Sequence, residues 1–218
     1  MSGNNLKIKE TLASALQNHK KNNFKVAEKL YKEILKIKPS HFESVFYLGA
    51  LLVQTKNFDK AQQLLQKAIE IQPNSVAAHN NLGIVFKELG ESQKAISHLQ
   101  KAIENQPNFA EAYNNLGTVM KELDDHQKAI SCYEKVIQIN PNYINAYNNL
   151  GTILGQLNHL NEAKKYLEKS LNIDPNNKKT CEGYGNLLLK INQHGKAIAY
   201  LRKGTGLIKF TQKDFEII

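Results

Sequence analysis

Between Ala110 and Leu123 the apolar residues Tyr113, Leu116, Met120 and Leu123 recur at steps of three or four, the spacing of one helix face. A second stripe, Ala129, Ile130, Tyr133, Val136 and Ile137, predicts a helix from about His126 to Ile139. Asp124 lies between the two, and the equivalent places elsewhere hold Asn22, Gly90, Asn158 and Asn192. These residue types tolerate the left-handed backbone that closes a helix. Pro141 stops the second helix, because proline cannot continue a helix and biases its predecessor away from helical dihedrals.

The pattern repeats along the chain. Pro39, Pro73, Pro107, Pro141 and Pro175 are all 34 residues apart. Gly49, Gly83, Gly117, Gly151 and Gly185 keep the same period, as do Ala27, Ala61, Ala95, Ala129, Ala163 and Ala197. Three residue types locked to one period define a tandem array. A helix hairpin needs close backbone approach where its helices cross. The glycines are therefore expected to face the alanines, as Gly117 with Ala129 or Gly83 with Ala95.

These residues resemble the tetratricopeptide repeat family, whose pattern places Leu before a small residue on the first helix, Ala and a large residue on the second, and Pro at the end. Leu48, Leu82, Leu116 and Leu150 fill the Leu place, and Tyr31, Leu65, Leu99, Tyr133, Leu167 and Leu201 the large one. The resemblance implies an all-α, right-handed superhelix of six repeats: 8–41, 42–75, 76–109, 110–143, 144–177 and 178–211. An N-terminal tail (1–7) and a C-terminal tail or partial cap (212–218) flank them. The first and last repeats are degenerate, and Gly204 and Gly206 are expected to interrupt the last helix. First helices are expected to line a concave groove.

In this family the groove positions carry function. Asn80-Asn81, Asn114-Asn115 and Asn148-Asn149 present three successive Asn pairs, each before Leu-Gly. A carboxamide matches the C=O and N–H of a peptide backbone. The row Asn81, Asn115 and Asn149 is similar to the asparagine ladder of O-GlcNAc transferase repeats, which implies main-chain binding of an extended peptide. Asn80, Asn114 and Asn148 would assist. Thr118 and Thr152 would add polar contacts and Phe46 and Tyr47 an apolar anchor, with Lys87 and Lys121 deeper in the groove beside Glu88 and Glu122. The competing explanation of the row is duplication, combined with the Asn and Lys usage of an AT-rich genome. The Lys and Arg placement of a chaperone-tail clamp is missing.

Charge sharpens the choice of partner. The net charge is +9, carried by 28 Lys and one Arg, Arg202. The excess sits in residues 1–41 (+6) and 178–218 (+5), while the middle repeats sum to −2. No continuous basic track follows, so nucleic acid is not the expected ligand. Charged ends would keep an array soluble and oppose end-to-end stacking.

No catalytic constellation emerges. The seven His are scattered without ligand spacing, and His79 reads as a packing residue. Cys132 and Cys181 read as structural thiols rather than nucleophiles or a disulfide framework. Neither Gly183-x-Gly185 nor Gly204-x-Gly206 completes a phosphate loop. No secretory or membrane-spanning segment is visible, and a cytoplasmic protein without cofactor or metal is expected. The leading function is a protein-interaction scaffold holding a peptide in the groove. The alternatives are a substrate-recruiting region of, or partner to, an enzyme such as a glycosyltransferase, and a self-assembling element joined through its ends or tail.

Overall fold

The computed structural model describes residues 3–206, 208–210 and 215–217. It divides into two compact units, Met1–Val119 and Met120–Ile218. In the first, α1 (Gly3–Lys20) pairs with α2 (Phe24–Ile37), α3 (Phe42–Gln54) with α4 (Phe58–Ile71), and α5 (Val76–Glu88) with α6 (Ser92–Asn105). Then comes α7 (Ala110–Glu122). In the second unit, α8 (His126–Ile139) packs on α9 (Ile144–Gln156), α9 on α10 (Leu160–Ile173), and α11 (Lys178–Lys190) on α12 (His194–Thr205). First helices of successive repeats also touch, α3 against α5 and α9 against α11. Residues 3–7, expected as a tail, belong to α1.

The stripes read from the sequence form the core. Tyr31, Ile34, Leu65, Leu82 and Leu99 are fully buried in the first unit, and Tyr133, Leu150, Ile153, Leu167 and Leu188 in the second. Full burial of such an apolar side chain stabilises by about 1.5–3 kcal/mol. Side chains of Ser75, Asp125 and Asn177 cap their helices by accepting from the N–H of Ala78, Lys128 and Thr180.

Two packing expectations are corrected. The periodic glycines press on the large residue four places beyond the alanine. A Cβ at Gly49, Gly83, Gly151 or Gly185 would stand 2.9, 2.5, 2.6 or 2.6 Å from Cγ of Leu65, Leu99, Leu167 or Leu201. The alanines leave room for this contact but are not its nearest atoms. Gly204 does not interrupt its helix either. It lies inside α12 where the backbone of α11 comes close: a Cβ there would be 2.7 Å from the Glu182 nitrogen and 2.8 Å from the Lys178 oxygen. Gly206, at φ +88°, does end the helix.

The hairpin turns share one device. Asn22, Lys56, Gly90, Asp124, Asn158 and Asn192 all have φ between 58° and 75°. Lys56 is the member that composition does not announce.

Ser170 stands where the family prefers Ala, and the reason is local. Its hydroxyl lies 2.8 Å from that of Thr180, which in turn donates to Asn177 Oδ1 at 3.0 Å. With that proton committed, Ser170 is the donor to Thr180. Both side chains are fully buried.

Beyond α12 the backbone forms a two-stranded antiparallel pair, β1 (Ile208–Phe210) with β2 (Phe215–Ile217), in the register Phe210 opposite Phe215. Residues 208–210, expected to close the sixth repeat, therefore form a strand instead of prolonging the helix. Whether the 212–218 tail covers the last repeat lies outside the described residues, apart from the backbone of β2. The twelve helices among the described residues make the fold all-α in class.

Candidate functional site

In the first unit the expected site residues lie on the faces of α3, α5 and α7. Phe46 and Tyr47 are half-buried in an aromatic group. Phe46 stacks on Phe42 at 5.9 Å and meets Tyr47 edge-on at 5.1 Å, while Tyr47 stacks on Tyr31 at 6.2 Å. Asn81 is half-buried with no side-chain hydrogen bond among the described residues. Asn80 is buried, and its Oδ1 accepts from Asn115 Nδ2 at 2.9 Å. Asn80 and Asn115 therefore play different parts. Asn80 fixes Asn115 of the next repeat, leaving the Asn115 oxygen as an oriented acceptor.

Asn115 lines a small cavity of about 110 Å³ with Gly83, Ile84, Lys87, Thr118 and Val119. The Thr118 hydroxyl donates to the Asn114 carbonyl at 3.0 Å, so towards a ligand its oxygen is an acceptor. Lys87 is ion-paired with Glu88. A larger open cavity of about 670 Å³ lies between α2, α3 and α4, lined by none of the Asn pairs but by Leu48, Leu51, Leu52 and Leu64 among charged and polar neighbours.

In the second unit Asn149 is buried and accepts from Lys179 Nζ at 3.3 Å. Lys179 was not singled out by the sequence. Its signal is its period place on α11, at the second residue of a first helix. Burial, and then the neighbouring charge of Lys121, hold its ammonium below the ordinary lysine range against the pull of Glu182. Asn148 is also buried, and the Thr152 hydroxyl donates to its carbonyl at 2.8 Å. Lys190 Nζ donates to the Gly155 carbonyl at 2.8 Å.

The titratable groups off this face are structural. His79 is 2% exposed; its Nε2 bonds the Pro73 carbonyl at 2.9 Å and its Nδ1 meets His98 Nδ1 at 3.0 Å. The carbonyl can only accept, so His79 carries its proton on Nε2 and His98 donates from Nδ1. Phe86 stacks on His98 at 5.3 Å. Burial, then the rings' mutual charge, push His98 down to about 4, and burial also lowers His79. Burial pushes the Cys132 thiol up to about 11 and raises Cys181 as well, the opposite of an activated nucleophile. Among the described residues no His, Cys, Asp and Glu group could hold a metal ion, and no helix is long and apolar enough to cross a membrane.

Family models described as tetratricopeptide repeat match residues 43–108, 108–176 and 179–210. The chain belongs to the tetratricopeptide repeat family. The MamA protein crystal structure is similar at 31% identity and TM-score 0.65, covering 77% of this chain and 92% of that one. Pseudomonas aeruginosa PilF is 28% identical with TM-score 0.70, over 76% of this chain and 75% of its own. YrrB, a repeat protein with an unusual peptide-binding site, shares the fold at 19% identity and TM-score 0.60, over 81% of this chain and 91% of its own. A comparison with curated proteins found no match.

Proposed function

We propose that the chain is a protein-interaction module that holds an extended peptide by its main chain on the faces of its first helices. The observation that carries this reading is the Asn115 carboxamide. It is fixed from behind by Asn80 and lines a cavity whose rim supplies Thr118 and Lys87. An oriented carboxamide oxygen accepts a backbone N–H without regard to the ligand's side chains. Asn81, with both polar ends available, extends the row, and Asn149 holds the same period place in the second unit. Phe46 and Tyr47 offer a half-exposed aromatic anchor. The likeness to the asparagine ladder of O-GlcNAc transferases belongs to this proposal.

The test is a random peptide library screened against the wild-type chain and the Asn81→Ala/Asn115→Ala/Asn149→Ala variant, with helicity checked by circular dichroism. Peptides captured by the wild type and lost from a folded variant support the reading. Equal capture by both, or capture by neither, overturns it.

A further inference from the structure

The open cavity of about 670 Å³ between α2, α3 and α4 is lined by four lysines, Lys25 and Lys32 on α2 and Lys60 and Lys67 on α4. On each helix the two stand seven residues apart, about 10 Å along the axis. Among the described residues the acid that lines the cavity with them is Glu28, which pairs with Lys32 at 2.6 Å. Lys25, Lys60 and Lys67 have no ion pair among the described residues. Leu48, Leu51 and Leu52 close the floor, and Phe24 and Leu64 stand half-buried beside the lysine stems.

Duplication does not account for this arrangement. Lys60 and Lys67 follow the period, because the places 34 residues on hold Lys94 and Lys101. Lys25 and Lys32 break it. Their places hold Asp59 and Gln66 in the second repeat, Gln93 and Gln100 in the third, Gln127 and Glu134 in the fourth, and Asn161 and Glu168 in the fifth. The first repeat thus sets an added lysine pair opposite the periodic one, and the cleft becomes basic on both walls.

Four ammonium groups around an apolar floor select a ligand that is acidic at its flanks and apolar beneath. An extended strand cannot offer this, because its side chains alternate between two opposite faces. A strand with apolar groups turned to the floor turns the remainder away from both walls. A helix presents an apolar stripe with carboxylates on either side of it, and its residues i and i+7 repeat the spacing of the lysines. We infer that this cleft docks an acidic amphipathic helix of a partner protein. The apolar side chains of that helix lie on Phe24, Leu64 and the floor, and its carboxylates meet the four lysines. None of the Asn pairs lines the cleft, so this surface goes beyond the peptide-binding reading and does not depend on it.

The probe is a lactam-stapled, fluorescein-labelled helical peptide of about 15 residues, with leucines on one face and glutamates at i and i+7 on both flanks. The full-length chain is titrated with it by fluorescence anisotropy, and the methyl groups of Leu48, Leu51, Leu52 and Leu64 are followed by two-dimensional NMR. Two control peptides carry Gln for every Glu, or Ala for every Leu. The expected result is saturable binding that weakens with salt, shifts at these methyl groups, and affinity at least about tenfold lower for either control. Lys25→Gln/Lys32→Gln/Lys60→Gln/Lys67→Gln should weaken binding at least about tenfold. Lys7→Gln/Lys9→Gln/Lys21→Gln/Lys38→Gln removes the same charge from exposed places outside the cleft and should change it less than about threefold. Equal binding of the Ala control, equal loss in the two lysine variants, shifts confined to the Asn81 and Asn115 side chains, or no saturable binding overturns the cleft. Binding that survives Asn81→Ala/Asn115→Ala/Asn149→Ala supports the cleft even in a chain that captures no library peptide. Library peptides lost on that triple substitution, in a chain that does not bind the acidic helix, overturn the cleft and keep the peptide-binding reading.

Discussion

Gly83 and Leu99 share one packing volume: a Cβ on residue 83 would stand 2.5 Å from Leu99 Cγ and 2.7 Å from its Cδ2. Leu99 is fully buried, and its side chain must shift to admit the added methyl. Exchanging glycine for alanine inside a helix ordinarily gains about 1 kcal/mol. Here overpacking reverses the sign, and Gly83→Ala should cost a net ~1–3 kcal/mol. Urea denaturation reads it directly. Combining Gly83→Ala with Leu99→Ala should cost less than the sum of the two, because each makes room for the other.

Lys56 sits at φ +58° in a turn where the other hairpins use Asn, Asp or Gly. A side chain with a Cβ pays about 1 kcal/mol for that conformation. Lys56→Gly should therefore stabilise the chain by about 0.5–1 kcal/mol and Lys56→Asn by less. A thermal midpoint unchanged or lowered by both would remove the argument.

The Ser170 and Thr180 hydroxyls form a buried pair at 2.8 Å. Thr180→Val would leave the Ser170 proton only the Ile144 carbonyl, 3.5 Å away, and cost about 1–3 kcal/mol. Adding Ser170→Ala, which restores the family's usual residue, should recover a large part of that loss. The double-mutant cycle measures the coupling, and strict additivity would show that the two hydroxyls do not depend on each other.

Acid stability should report the His79–His98 pair. Folding lowers both rings, His98 to about 4, so below the ordinary histidine value the unfolded chain binds protons that the folded chain refuses. The pair's contribution is intact above about pH 6.5 and is lost as the pH falls towards about 4. Partial exposure of His98 limits the loss to about 1–2 kcal/mol. His98→Gln, which keeps a donor for His79, should flatten the pH profile between these limits in equilibrium denaturation.

Helix limits were legible because they are set locally. The stripe from His126 to Ile139 and the proline after it coincide with α8. Partner choice was not legible. Periodicity places Gly83 and Ala95 on facing helices but does not say that a leucine reaches further into the same gap. Gly204 looked like a helix breaker because its role depends on the Lys178 and Glu182 backbone, which no local pattern records. The His79–His98 contact joins two helices across nineteen residues at non-repeating places, so no spacing rule selects it. Within the candidate site the Asn pairs were visible, but their division of labour was not. Which of two adjacent carboxamides turns under the next repeat, as Asn80 does to meet Asn115, is decided by packing.

The recurring left-handed turn has a further consequence for how such a chain changes length. Each hairpin reverses direction at the same place in the period and with nearly the same dihedral angle, from Asn22 to Asn192. Removing or copying a whole period joins a turn to the helix start it already precedes elsewhere in the chain. A shift of even one residue would rotate every downstream stripe by about 100° and turn the core outwards. Insertions and deletions in this chain are thus quantised: whole repeats are tolerated far better than single residues, and a binding surface can be lengthened without redesigning any junction.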